Sequence, residues 1–119
     1  MKYKKICFDI DGVICKVRSD NDYKKSKPIK KNIQLINTLY KKKFKIILFT
    51  SRFMGRNNDD TIKAKKMGYE FTKNQLRKWG LDYHKLVMGK PSYDLFIDDK
   101  CLFFKNEWVK ILKKKINLR

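Results

Sequence analysis

The chain predicts an α/β fold in which a parallel sheet is flanked by helices. Two observations carry this. Short apolar runs of strand length alternate with segments whose apolar residues recur at helical spacing. Nearly every apolar run also ends in a polar residue, as strands do when their C-terminal ends open onto a ligand. A length of 119 residues, 42% of them hydrophobic, suits a single domain over 1–119 with one core and no separate cap.

Lys4–Ile10 reads as a strand buried on both faces. Residues 16–27, "KVRSDNDYKKSK", are polar and read as an exposed loop or small hairpin. Pro28 suits the first turn of a helix. In that helix Ile29, Ile33, Ile36 and Tyr40 share one face, and Lys41, Lys42 and Lys43 sit at its negative dipole end. "FKIILF", 44–49, is a second buried strand. From Ser51 to about Met67 the pattern is irregular or partly helical, with a start signal at Asn58–Asp60. A clearer helix covers Tyr69–Trp79, with Gly80 placed to end it. "KLVMG", 85–89, and "DLFID", 94–98, are a third and a fourth strand. A last helix runs from Glu107 to Ile116, with Asn106 as its cap. Trp79 and Trp108 at helical spacing read as core residues, and His84, the lone histidine, as a loop or surface residue.

The formal net charge of +19 raises nucleic acid as a partner. However, 26 of the 31 basic residues are lysines scattered along the chain, and Ala64 is the sole alanine. An AT-rich genome leaves that signature, whereas bidentate phosphate or base recognition favours arginine. A dedicated nucleic-acid role is therefore not expected. No run is long enough to span a membrane, no signal-peptide pattern opens the chain, and the expected location is the cytoplasm. Cys7, Cys15 and Cys101 are odd in number and not spaced for zinc, so reduced thiols are expected, with Cys7 inside an apolar run.

The strand ends hold the chemistry. The first delivers Asp9 and Asp11, the second Thr50, Ser51 and Arg52, the third Lys90, and the fourth Asp98 and Asp99. Carboxylates gathered this closely repel unless a cation neutralises them, and oxygen-only ligands favour Mg²⁺ with substrate phosphate completing its shell. A carboxylate can also attack phosphorus, and a second one can donate and recover a proton. A hydroxyl and a lysine can hold the transferring group and offset its charge.

Four stretches in order, "ICFDIDG", "IILFTSR", "GKP" and "LFIDD", resemble the four motifs of the haloacid dehalogenase (HAD) phosphatases and together span 6–99. Within that superfamily the size, the "TSR" and the "GKP" before "IDD" are similar to the small capsule-biosynthesis phosphatases. The resemblance implies a Rossmann-like core. It implies Asp9 as nucleophile and Mg²⁺ ligand, and Asp11 as general acid and base with its carbonyl on the metal. Thr50 would bind the transferring phosphate, with Ser51 and Arg52 beside it as substrate contacts. Lys90 would bridge nucleophile and phosphate, Asp98 would bind Mg²⁺, and Asp99 would do so through water. Asp at position 11 implies hydrolysis of phosphate esters or phosphoryl transfer. Only 38 residues lie between Asp11 and Thr50, too few for a second folded domain. An open site is expected unless the 16–27 loop, the 53–68 segment or a neighbouring subunit covers it, and an uncapped site fits either a large substrate or a homo-oligomer. The implied substrate is a small phosphorylated sugar, polyol or amino-alcohol precursor of a surface polysaccharide.

Three rivals share parts of the pattern. A phosphatase acting on nucleic-acid 3′ ends would use the charge. A two-component receiver domain also forms an aspartyl-phosphate, but in receivers the lysine comes last, whereas here an acidic pair follows it. A catalytically inactive basic binding module would leave the motif set unused.

Overall fold

The computed structural model describes residues 3–118. Its core is a three-stranded parallel sheet in the order β1-β2-β3, with β1 at Lys5–Phe8, β2 at Lys45–Thr50 and β3 at Lys85–Met88. Helix α1, Lys30–Lys41, connects β1 to β2, and α2, Thr61–Lys78, connects β2 to β3. Helix α3, Trp108–Lys115, closes the described chain. This is the α/β class expected, a small Rossmann-like arrangement. Because the strands are parallel, Phe8, Thr50 and Met88 finish at one edge of the sheet, and the residues after them are carried there together.

The core follows the sequence periods. Ile33, Ile36 and Leu39 of α1 lie three residues apart and are buried with Ile46 and Leu48, the alternate positions of β2. Leu86 of β3, Leu76 of α2, and Trp108 and Leu112 of α3 join this cluster. A second, smaller cluster joins Phe53 and Met54 to Ala64 of α2 and Met88 of β3. Trp108 is a core residue as expected, while Trp79 is partly buried and packs against the core.

After β1 the chain turns at once. Gly12 takes φ +94°, a conformation that disfavours a side chain, and its N–H donates to Cys15 O at 2.7 Å. The turn buries Ile10, Ile14 and Cys15 completely. Asn32 of α1 pins it by donating from Nδ2 to Val13 O at 2.8 Å. Residues 16–27 leave as a mostly exposed loop whose base is closed by Lys16 N–H donating to Lys27 O at 3.0 Å. Within that loop Tyr23–Lys25 form one 3₁₀ turn.

Several expectations need correction. Residues 94–98 do not form a strand. The chain passes Gly89 at φ +97° and then Pro91, leaving the sheet instead of returning to it. Leu95 is 78% and Ile97 88% exposed, and the edge of β1 carries no further strand among the described residues. The first strand is consequently a half-exposed edge strand, shorter than Lys4–Ile10, and Cys7 is exposed; Cys15 is the buried thiol. The start signal at Asn58–Asp60 is the real one: helix α2 begins at Thr61, eight residues before the clearer stretch from Tyr69, because the Asp60 carboxylate caps it by accepting from Lys63 N–H at 3.1 Å. Gly68 does not break the helix, since Phe53 packs where a side chain would lie. In α3 the N-cap is Glu107, not Asn106.

Candidate functional site

Asp9 stands one residue beyond β1. Its Oδ1 accepts from the Ile10 N–H at 2.8 Å, and its Oδ2 lies 3.7 Å from Lys90 Nζ. Lys90 reaches it from just beyond β3, where its N–H donates to Thr50 O at 3.1 Å and ties the ends of β2 and β3 together. Burial pushes the Asp9 carboxyl above the ordinary range; the Lys90 ammonium and the Ile10 N–H oppose that, and the Asp11 carboxylate adds to it. For Lys90, burial works against the charge, but Tyr93 and Asp9 outweigh it and hold the ammonium above the usual lysine value. The Tyr93 and Phe96 rings lie 5.2 and 5.3 Å from Nζ, so the lysine has aromatic faces on one side and a carboxylate on the other.

Thr50 is the last residue of β2 and is 1% exposed, with its Oγ1 accepting from Arg52 N–H at 3.1 Å. Ser51 follows it, half-buried, and its carbonyl accepts from Met54 N–H in the turn after β2. The structure thus places Asp9, Thr50 and Lys90 at one sheet edge.

Asp11 and Arg52 form a different unit. The guanidinium meets the carboxylate with two bonds, Nε to Oδ2 at 2.9 Å and Nη2 to Oδ1 at 3.0 Å. Arg52 has no exposed side-chain surface and Asp11 retains 24%. The fork of Arg52, expected as a direct substrate contact, is here spent on Asp11. Cys15 Sγ lies 3.3 Å from Asp11 Oδ1. Burial, then the Asp11 carboxylate, push the Cys15 thiol up to about 12. Gln75 and Tyr23 also touch Arg52, and neither was expected in the site. Gln75 adjoins the small-residue stripe Ala64, Gly68, Thr72 of α2, and a polar residue beside such a stripe was the one signal available.

Asp98 and Asp99 do not join this group. Both are exposed, and Asp98 Oδ1 caps its own turn by accepting from Lys100 N–H at 3.0 Å, the bond that chiefly lowers its pKa. Among the described residues no three acidic or other ligating side chains gather on one point. The four-acid Mg²⁺ set is therefore not assembled. Asp9, at the strand ends with one oxygen opposite an ammonium, fits the sparse protein share of a Mg²⁺ shell completed by water and substrate phosphate; Asp98 and Asp99 do not fit it.

A cleft of about 480 Å³ opens between the 20–24 part of the loop and Phe53, Arg56, Met67 and Phe71, and neither Asp9 nor Lys90 lines it. Tyr23 and Phe53 face each other there with ring centroids 4.9 Å apart, so the loop rests on the segment after β2. Among the described residues no helix is long and apolar enough to cross a membrane.

No protein-family profile matches the chain, and no curated protein matches its sequence. Two solved structures share its fold. One is a structural-genomics target from Vibrio cholerae, similar over 94% of this chain and 98% of that one, with 21% identity and a TM-score of 0.77. The other is the structure of a Pnkp1/Rnl/Hen1 complex, matched by 97% of this chain at 20% identity and a TM-score of 0.53. This chain spans 33% of that second one.

Proposed function

We propose that the chain is a phosphomonoesterase of the HAD type that works through an aspartyl-phosphate on Asp9. The observation that carries the reading is Asp9 at the end of β1 facing Lys90 across 3.7 Å, with Asp11 two residues on. In this reading an Asp9 oxygen bonds to phosphorus as the ester oxygen leaves, and Asp11 supplies that oxygen's proton. Water then attacks phosphorus, Asp11 takes its proton, and Asp9 is released. Lys90 and the Thr50 hydroxyl hold the phosphoryl group and offset its charge. Asp9 would hold Mg²⁺, which would supply further charge neutralisation.

The substrate in this proposal is a small phosphorylated sugar, polyol or amino-alcohol used in surface-polysaccharide synthesis in the cytoplasm. The family reading rests on the order of the four motifs, and the two fold neighbours are compatible with it.

Phosphate release from a panel of phosphorylated metabolites with Mg²⁺ tests the proposal. Many turnovers per enzyme are expected, and none from a folded Asp9→Asn variant. A stable phosphoprotein of at most one equivalent would instead indicate a receiver domain. A second reading, hydrolysis at nucleic-acid 3′ ends, is favoured by the charge of +19. Absence of activity on oligonucleotide ends at low salt would end it.

A further inference from the structure

We propose that Arg52 is a positioning residue that reaches the reaction only through Asp11, and that Gln75 and Tyr23 fix Arg52 in turn. The inference rests on the phosphatase reading, in which Asp11 carries the proton.

A guanidinium is costly to bury unless its donors are matched. Each of the three nitrogens of Arg52 is matched inside the protein. Nε and Nη2 bind the two Asp11 oxygens at 2.9 and 3.0 Å, Nη2 also lies 3.6 Å from Cys15 Sγ, and Nη1 donates to Gln75 Oε1 at 2.6 Å. The Tyr23 ring covers the guanidinium plane, 4.6 Å from Cζ to the ring centroid. With its side chain fully buried, Arg52 has no surface to offer a phosphate.

The Gln75 amide can stand only one way. Its oxygen faces Arg52, which has no acceptor, and its Nε2 donates to the Tyr23 carbonyl at 2.6 Å, which has no donor. Gln75 therefore joins α2 to the 16–27 loop and to Arg52 at once. Tyr23 holds the arginine twice, through its ring and, by way of Gln75, through its backbone. The two-bond fork then sets the plane of the Asp11 carboxylate, which a lysine, a point charge, would not do. By this route the exposed loop governs the aim of the proton-carrying group without touching substrate.

Fixing that plane matters in both half-reactions. In the first, the ester P–O bond breaks as an Asp9 oxygen bonds to phosphorus, and the leaving oxygen takes a proton from Asp11. In the second, a water oxygen bonds to phosphorus, the Asp9–phosphorus bond breaks, and Asp11 takes the proton from water.

p-Nitrophenyl phosphate separates the halves, because its phenolate leaves without needing a proton. In Arg52→Lys and in Gln75→Leu, kcat should fall by about 100-fold, while kcat/KM, which reports phosphorylation of Asp9, stays at the wild-type value. A burst of nitrophenol near one equivalent should precede the slow phase. Tyr23→Phe, which keeps the ring and the carbonyl, should behave as wild type, and Tyr23→Ala should resemble Gln75→Leu. If Arg52→Lys fails to fold, Gln75→Leu and the Tyr23 pair carry the same test. Unchanged kcat in the folded variants overturns the inference. So does a fall in kcat/KM matching that in kcat, which would mean that Arg52 binds substrate, or a burst reduced only in step with the folded fraction, which would mean a structural role. Wild-type protein with neither burst nor turnover overturns the phosphatase reading itself, and the inference with it.

Discussion

Lys90 Nζ lies 3.7 Å from Asp9 Oδ2 and joins the end of β3 to the end of β1 across the intervening β2. Among the described residues it is the one cation paired with the proposed nucleophile. Replacing it by Met should lower kcat/KM for any phosphate ester by about 10²–10³-fold, the usual loss for one preorganised charge-stabilising donor. Steady-state kinetics at saturating Mg²⁺ measures this, and circular dichroism checks that the variant stays folded. A change under threefold would remove Lys90 from the site.

Much of this was legible in the sequence. β2 and β3 fall close to their predicted ranges, because an apolar run between polar residues fixes both the strand and its exit. Thr50 and Lys90 follow from that alone, whereas Asp9 stands inside the range read for the first strand and lies just past its observed end. The misplaced parts depend on long-range geometry. "DLFID" has the local pattern of a strand, but pairing depends on where Gly89 and Pro91 send the chain, and the pattern carries no such information. Arg52 shows its charge in the sequence, whereas its direction is set by Gln75 and Tyr23, 23 and 29 positions away. The first turns of α2 carry a start signal at Asn58–Asp60 but an irregular apolar pattern up to Met67, and the packing of Phe53 against Gly68 that accompanies the helix there is a contact in space.

That contact makes a stability prediction. A methyl group at position 68 would overlap the Phe53 ring, over which the Arg56 guanidinium also lies, 4.7 Å from Cζ to the ring centroid. Gly68→Ala removes an unfavourable helix residue, worth about 1 kcal/mol in its favour. It overpacks the second cluster at a typical cost of about 1–3 kcal/mol. The net expectation is a lower Tm despite the better helix former, read by thermal denaturation. Phe53→Leu in the same background should recover part of the loss, since it vacates the overlapping edge.

The three cysteines should label in a fixed pattern. Cys101 and Cys7 are exposed, while Cys15 is fully buried with its thiol pushed up to about 12. The thiolate is the reactive form, so at pH 8 Cys15 is shielded both by burial and by protonation. Iodoacetamide followed by peptide mass spectrometry should show Cys101 modified in native protein and Cys15 modified only after denaturation. Labelling of native Cys15 at the rate of Cys101 would contradict the packed turn after β1.

The bare strip at Leu95–Ile97, with Phe103 at 78% exposure and the open edge of β1, gives the chain a colloidal character of its own. Apolar side chains and an unpaired strand edge attract copies of the same molecule. A net charge of +19 keeps those copies apart while its field extends through the solvent. The Debye length falls to about 10 Å at 0.1 M salt and about 3 Å at 1 M. Added salt should therefore drive self-association in this chain, and light scattering across a sodium chloride series should show particle mass rising with ionic strength. Replacing Leu95 and Ile97 by Lys should abolish the rise, making dilute buffer, with copies held apart by charge alone, the medium in which the wild-type chain keeps.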